Sequence, residues 1–386
     1  MLLLTVIFWL CVALIVWTQL GYALALAILA RVVRRSSAGR SAAPERLPSL
    51  SLIVAAHDEQ EVISEKVANA LELDYPRELL EVIVACDGCG DGTAERARAA
   101  GADLVLELAR GGKIRAQDAA VERAAGEIVA FSDANALWEP GAARELVGAF
   151  EEQRVGYACG RVAFVQAAGG RAGGNQEGLY WRYELAVRGL ESRLSSITAG
   201  NGAIYATRRD TYIVVDPVMG HDLSLPFNMV KRGLRAVYVP SAQATEKMVP
   251  TVEGEFSRKR RMMSHTWPIL VRGGMLSPRG YPRGYALMIF SHRVLRYLLP
   301  FLHAIALGTN VALVATSNGA ARTLYIVTLA LQVALLAGAA LAGAFRWRPL
   351  LIARYYVLTA ASPAAGLWDW LRHGADPAWE VAEGTR

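Results

Sequence analysis

Asp133, Ala134 and Asn135 close a short apolar run, residues 127–135, reading EIVAFSDAN. A run this short between two helical patterns reads as a buried strand, and the carboxyl end of a strand in an open α/β sheet is where ligands bind. The Asp and Asn side chains can turn toward one ligand, while the small Ala134 lets a diphosphate and its cation come close. Carboxylate and amide oxygens of this kind suit Mg2+ or Mn2+. The same residue types also form turns and cap helices, so the triplet takes its meaning from what accompanies it.

Two further strand-like runs end in the same way. Residues 50–56, LSLIVAA, lead into His57, Asp58 and Glu59, and residues 79–86 lead into Asp87-Gly88-Cys89-Gly90-Asp91-Gly92-Thr93. Glycines permit a tight turn there, and Asp91 or Thr93 can cap a helix. Between the two runs, Val62, Ile63, Val67, Ala70 and Leu71 have helical spacing, stopped by Asp74-Tyr75-Pro76. Strands alternating with helices imply a parallel sheet with crossovers, hence an α/β fold. Acidic ends at Asp58/Glu59, Asp87/Asp91 and Asp133 would then share one sheet edge, which suits a cation-bound, hydroxyl-rich ligand such as a nucleotide sugar. Gly111-Gly112-Lys113 opens a helix running to residue 125. Backbone N–H groups, the helix dipole and an ammonium can receive phosphate there, although the pattern is not a P-loop and Lys113 equally fits an exposed helix start.

Downstream, the pattern predicts a helix over 140–152, a strand over 155–166, a glycine-rich loop over 171–175 and a helix over 176–193. Tyr180, Trp181 and Tyr183 in that helix read as core, with a sugar-stacking wall as the alternative. Thr198-Ala199-Gly200-Asn201-Gly202-Ala203 is a small-residue turn ahead of a strand, suited to letting a bulky acceptor approach the backbone. His221-Asp222 then precedes a helix over 223–231. Asp222 is either its N-cap or a base within reach of an acceptor hydroxyl, with basicity adjusted by the adjacent His221. Arg258-Lys259-Arg260-Arg261, followed by Met262, is either a solvated or lipid-facing run or the cationic clamp that a leaving diphosphate requires.

The chain of 386 residues carries a formal charge of +6, a mild preference for anionic neighbours that makes nucleic acid a poor match. Its 53% hydrophobic content exceeds the roughly 45–50% apolar average of soluble domains, and the excess lies at the two ends. Residues 2–30 are apolar but for Thr5, Thr18 and Gln19, longer than the roughly 20 residues that cross a bilayer. Basic residues follow at Arg31, Arg34, Arg35 and Arg40, so the positive-inside rule puts the amino terminus outside and the middle of the chain in the cytoplasm. Residues 294–316 and 324–345 are each long enough to span. Residues 350–370 form a third run, broken by Ser362, Pro363 and Gly366, with Arg346 and Arg348 marking a cytoplasmic turn before it. If that run spans, the tail is external; if it lies at the interface, the tail is cytoplasmic. Cys11, Cys86, Cys89 and Cys159 make no disulfide framework in a chain whose middle is cytoplasmic, and Cys86-x-x-Cys89 lacks the second pair or thioredoxin context of a zinc or redox site.

Taken in order, Ala56-His57-Asp58-Glu59, Cys86-Asp87-Gly88, Gly112-Lys113, Asp133-Ala134-Asn135, Gly200-Asn201-Gly202, His221-Asp222 and Arg258 to Met262 resemble the membrane-integrated family 2 glycosyltransferases. These are relatives of the cellulose, chitin and hyaluronan synthases and of bacterial exopolysaccharide glycosyltransferases. The resemblance covers about residues 48–270. It implies a GT-A nucleotide-sugar fold with a mixed, mainly parallel sheet. It divides the chain into an N-terminal transmembrane helix (1–30), a basic linker (31–47), a cytoplasmic catalytic domain (48–280), C-terminal interfacial and transmembrane helices (281–370) and a tail (371–386). It also implies an inverting, metal-dependent transfer from a nucleotide sugar, UDP-linked by family weight, to a lipid-linked or glycan acceptor at a bacterial-type inner membrane. Asp58, Glu59 and Asp87 would lie near the nucleoside, Lys113 and Arg258 near the phosphates, and Asp133 with Asn135 at the Mg2+ or Mn2+. Gly200, Asn201, Gly202 and His221 would face the acceptor, Asp222 would be the catalytic base, and Arg261 would stabilise the leaving group.

Four positions depart from the family pattern. Arg258 and Met262 stand where the family has Gln and Trp, His221 replaces a common Glu, and Asn135 replaces a second Asp. The missing Trp favours single transfer over the processive, translocating synthesis of the polymerising relatives. A reading of another class, an inactive membrane scaffold that binds nucleotide sugar, is opposed by the retained Asp133 and Asp222.

Overall fold

The structure is a computed structural model and describes residues 1–33, 46–165, 174–247, 252–345 and 347–377. Its strands are β1 (Leu50–Ala56), β2 (Leu80–Asp87), β3 (Leu104–Leu108), β4 (Ile128–Asp133), β5 (Leu137–Trp138), β6 (Val155–Val165), β7 (Tyr205–Arg208) and β8 (Arg235–Lys247). They form one sheet in the order β3-β2-β1-β4-β7-β6-β8-β5. The first four positions are all parallel, β7 runs antiparallel to β4 and β6, and β6 pairs parallel with β8. The sheet is therefore mixed and mainly parallel.

The helices are α1 (Leu2–Val32), α2 (Ile63–Leu71), α3 (Thr93–Ala99), α4 (Lys113–Arg123), α5 (Ala142–Gly148), α6 (Gly174–Leu194), α7 (His221–Lys231), α8 (Val252–Val271), α9 (Arg283–Thr316), α10 (Gly319–Leu341) and α11 (Arg348–His373). Because β1 lies between parallel neighbours with helices on both faces, all seven of its residues are buried. Side chains alternate along it: Leu52 joins Val82, Ala130, Leu146 and Val147 on one face, and Ile53 joins Ile83, Phe131, Ala116 and Ala120 on the other. Since β2, β1 and β4 are adjacent and parallel, the segments holding Asp58/Glu59, Asp87 and Asp133 leave the same edge of the sheet.

The strands at 104–108 and 235–247 carry no clear periodic signal. In β8 the pairing with β6 jumps from Cys159↔Tyr238 to Arg161↔Gln243, and Pro240 sits in that irregularity, where its missing N–H costs the ladder nothing. Residues 174 and 175, expected in a loop, already belong to α6. Most of the linker expected over 36–48, with Arg34, Arg35 and Arg40, lies outside the described residues, as do residues 171–173, the Tyr180 side chain and Arg346.

Helices α1, α9, α10 and α11 are each long and apolar enough to cross a membrane. α11 continues through Ser362, Pro363 and Gly366 without a break. Those small residues form its seam with α8 instead. A Cβ on Gly366 would lie 2.5 Å from Met263 Cβ, and the Trp267 indole N–H donates to the Pro363 carbonyl at 2.9 Å.

Candidate active site

The loops that follow β1 and β2 lock one another. Asp87, 1% exposed, accepts from the Gly111 N–H at 2.6 Å through Oδ1 and from the Gly112 N–H at 2.9 Å through Oδ2. Its carboxylate therefore fixes the turn that opens α4. His57 Nδ1–H donates to the Asp87 carbonyl at 2.7 Å, and its Nε2 accepts from Arg110. Asp58 is the one described non-glycine residue with positive φ, 51°, and its Oδ1 takes the Gly90 N–H at 2.7 Å. The Glu59 N–H donates to Thr93 Oγ1 at 2.8 Å, and Asp91 Oδ1 accepts from the Thr93 N–H at 3.0 Å. Cys89 Sγ and the Asp58 and Asp91 carboxylates lie within 4.8 Å of one another, so the Cys-x-x-Cys stretch is part of this loop lock. The Cys86 thiol hydrogen bond holds the Cys89 thiol below its ordinary range.

At the end of β4, Asp133 Oδ1 is ion-paired with Lys113 Nζ at the start of α4. Gly202 faces the pair: a Cβ there would lie 3.4 Å from Lys113 Nζ and 3.8 Å from Asp133 Oδ2. Half-buried Asn135 follows two residues on. The Asp133 carboxylate, with the Asn135 amide two residues on, offers oxygen donors of the kind a hard divalent cation takes, and Gly202 puts no side chain beside them.

Two charged residues that periodicity did not single out support this corner. Lys66 in α2 is wholly buried, donates to the Ala136 carbonyl at 2.6 Å and stands 5.3 Å from the centre of the Trp138 ring. Burial pushes its ammonium down to about 7, against the pull of Asp133 and Glu246. Glu246 on β8 is raised by burial and by Asp133, with Lys113, Arg258 and Lys66 opposing. Arg258 on α8 is thus within electrostatic reach of the Asp133 corner.

At the small-residue turn before β7, the Gly200 N–H donates to the Asp222 carbonyl at 2.7 Å, and the Gly200 carbonyl accepts from Arg188 at 3.0 Å. Asn201 is spent on backbone groups, donating to the Gly160 carbonyl of β6 at 2.7 Å and accepting from the Ile204 N–H at 2.9 Å. Half-buried Asp222 is the second residue of α7, one past His221, and the N-cap position falls to Gly220. Desolvation holds its carboxyl above the usual range and Asp133 adds to this, while Lys113, a hydrogen bond from the Leu223 backbone and Arg188 draw it down. Lys113 therefore acts on both Asp133 and Asp222, and the two ends of the site are one electrostatic unit.

His221, expected on the acceptor side, lies elsewhere. It is 2% exposed, with Nδ1 2.9 Å from the Tyr205 hydroxyl and Nε2 3.2 Å from the Tyr212 hydroxyl. Burial and Lys113 push the imidazole down to about 3, so it is neutral and anchors the start of α7 in the core. Arg261 lies on α8, and His265 one turn on feels both Arg261 and Asp222. The C-terminal segment also returns here: a Cβ on Gly112 would lie 2.2 Å from the Pro377 carbonyl oxygen.

Residues 48–264, more than half of the chain, match the family described as Glycosyltransferase like family 2. The chain belongs to that family. This family 2 glycosyltransferase shares its fold with the mannosyltransferase PcManGT from Pyrobaculum calidifontis, solved in complex with GDP-Man and Mn2+. The two are 23% identical, with a TM-score of 0.70 over 95% of this chain and 99% of that one. The likeness takes in the flanking helices as well as the sheet. An N-acetylglucosaminyltransferase from Mesorhizobium japonicum is 25% identical over 239 residues, and the chain spans about half the length of that relative, 55%.

Proposed function

We propose that this glycosyltransferase moves a sugar from a nucleotide-diphosphate donor to a membrane-associated acceptor, lipid-linked or glycan, by an inverting displacement. The observation that carries the proposal is that Lys113, Asp133 and Gly202 meet in one corner whose charges act on Asp222, a carboxylate that burial holds above its ordinary range. Asp222 takes the proton of the acceptor hydroxyl. The acceptor oxygen forms its bond to the anomeric carbon as the bond to the diphosphate oxygen breaks, and the electron pair leaves with the diphosphate. Lys113, Arg258 and Arg261 offset the charge that gathers there. Asp133 and Asn135 would hold Mg2+ or Mn2+, which when bound supplies further positive charge to the diphosphate. Asp58, Glu59 and Asp87 shape the nucleoside end, and Gly202 leaves room beside the sugar.

The bound GDP-Man and Mn2+ of the PcManGT structure support a nucleotide sugar and a divalent cation for this chain too. Four apolar helices and the basic residues after the first support a multi-pass protein whose catalytic domain, about residues 48–280, faces the cytoplasm, as at a bacterial inner membrane. Single transfer is the preferred mode because Met262 takes the place of the processive Trp.

The test is turnover of UDP- and GDP-sugars by the detergent-purified full chain with membrane lipids and Mg2+ or Mn2+, reading released nucleotide and product size. Metal-dependent release with a lipid-extractable product one sugar larger is expected. A long polymer would replace single transfer by processive synthesis, and binding without turnover would move the protein to the scaffold reading.

A further inference from the structure

Glu191, near the end of α6, is fully buried and surrounded by donors from three separate parts of the chain. The Tyr22 hydroxyl of α1 donates to it at 2.6 Å, His292 Nδ1 of α9 lies at 2.7 Å, and the Thr198 N–H donates at 3.0 Å. Thr198 Oγ1–H adds a bond at 3.1 Å and accepts one from Arg293 Nε at 2.9 Å. The far side of His292 faces Glu184 at 3.4 Å, and Glu184 is paired with Arg296. α1 and α9 both widen to π winding where they meet this cluster, at Trp17–Gly21 and Phe290–Val294, and the Trp17 indole N–H joins Ser291 Oγ at 3.0 Å. π turns of this kind are frequent at functional sites.

The cluster grips the backbone of the acceptor-side turn. Tyr285 of α9 donates to the Ile197 carbonyl at 2.9 Å, Glu191 holds Thr198, Arg188 holds Gly200, and the Gly200 N–H holds the Asp222 carbonyl. Apolar side chains of the same volume would pack this junction without the desolvation that buried charges suffer. Stability alone therefore does not account for the charges; fixing one geometry does.

We propose that Glu191 is a positioning residue: by binding Tyr22 and His292 of two membrane helices together with Thr198, it sets the turn 198–200 and through it the reach of Asp222 toward the acceptor. The inference rests on the reading of Asp222 as the base. It makes the packing of α1 against α9 a condition for transfer, whereas the donor loops are locked by bonds of their own at Asp87 and Asp133.

The experiment compares full-length wild type, Glu191→Gln and Asp222→Asn in lipid nanodiscs, using the nucleotide sugar that the wild type turns over. Donor affinity is measured by titration with Mn2+, and transfer by product formed. For E191Q, donor affinity is expected to stay within about twofold while transfer falls about 10- to 100-fold, the size that a small misplacement of a reacting group produces. Transfer at the wild-type rate overturns the inference, and so does an equal loss of donor binding and transfer. Should E191Q not purify as a folded protein, Tyr22→Phe carries the test, with the same split expected at smaller size and the same two results against it. An inactive wild type, or an active D222N, would instead sink the reading of the site itself.

Discussion

The backbone N–H of Gly200 donates to the backbone carbonyl of Asp222 at 2.7 Å. Asp222, the proposed base, and the turn 198–200 thus share a bond that no side-chain substitution removes, and the turn fits there because Gly200 has no side chain. A Cβ at 200 would lie 2.0 Å from the Tyr157 hydroxyl, which is itself fully buried. Gly200→Ala is expected to shift the turn, lower transfer about 10- to 100-fold and destabilise the fold by about 1–3 kcal/mol. Steady-state transfer and thermal unfolding of one preparation check both, and wild-type transfer would show that the turn does not set the base.

Asp222→Asn removes the proton acceptor and keeps the shape. Transfer should fall about 10²- to 10⁴-fold with donor affinity unchanged. The pH profile carries a sign as well. Burial raises the Asp222 carboxyl and Lys113 lowers it. The base works only when ionised, so the acid limb of kcat/KM should lie above that of an ordinary carboxylate, activity being lost as pH falls through it. Lys113→Met takes away an opposing cation, and the limb should then move further up. A limb that stays in place or moves down would separate Lys113 from the base.

The cation corner makes a different demand. Chelation should stop turnover and added Mn2+ should restore it. Asp133→Asn should raise the Mn2+ needed for half-maximal rate at least about tenfold, since partners one shell further out already cost roughly that much in other metal sites. Titration of rate against Mn2+ decides, and an unchanged midpoint would place the cation elsewhere.

What the sequence shows of this site follows from how local each signal is. Asp58, Asp87 and Asp133 are legible because each ends an apolar run, and three neighbouring parallel strands bring such ends together. β3 and β8 escape because their pattern is short or interrupted by Pro240, and what makes them strands is their partner. His221 shows the limit of adjacency: one position on a helix start separates a core side chain from a half-buried carboxylate. Glu184, Arg188 and Glu191 recur at helical spacing, a stripe that looks solvated until α9 covers Glu184 and Glu191 and the turn 198–200 meets Arg188, and only the tertiary fold supplies that cover.

Lys66 carries the same lesson in a form that can be measured. It lies three residues after Ile63 and four before Ala70, both buried on the inward face of α2, so the helix forces its ammonium beneath the Asp133 turn. There it donates to the Ala136 carbonyl at 2.6 Å. Lys66→Met fills the space but leaves that carbonyl unpaired, and the cation turn above it should loosen, lowering turnover about tenfold. The stability effect has a sign of its own. Burial lowers the folded-state value from 10.5 to about 7, so between those two pH values the unfolded chain binds the proton that the folded chain has released. Stability of the wild type therefore rises with pH across that window, and the Lys66→Met variant lacks this contribution. Thermal unfolding of both proteins from pH 7 to 10 should show the wild type gaining on the variant; parallel curves would mean that Lys66 keeps its proton in the fold, held there by Asp133 and Glu246.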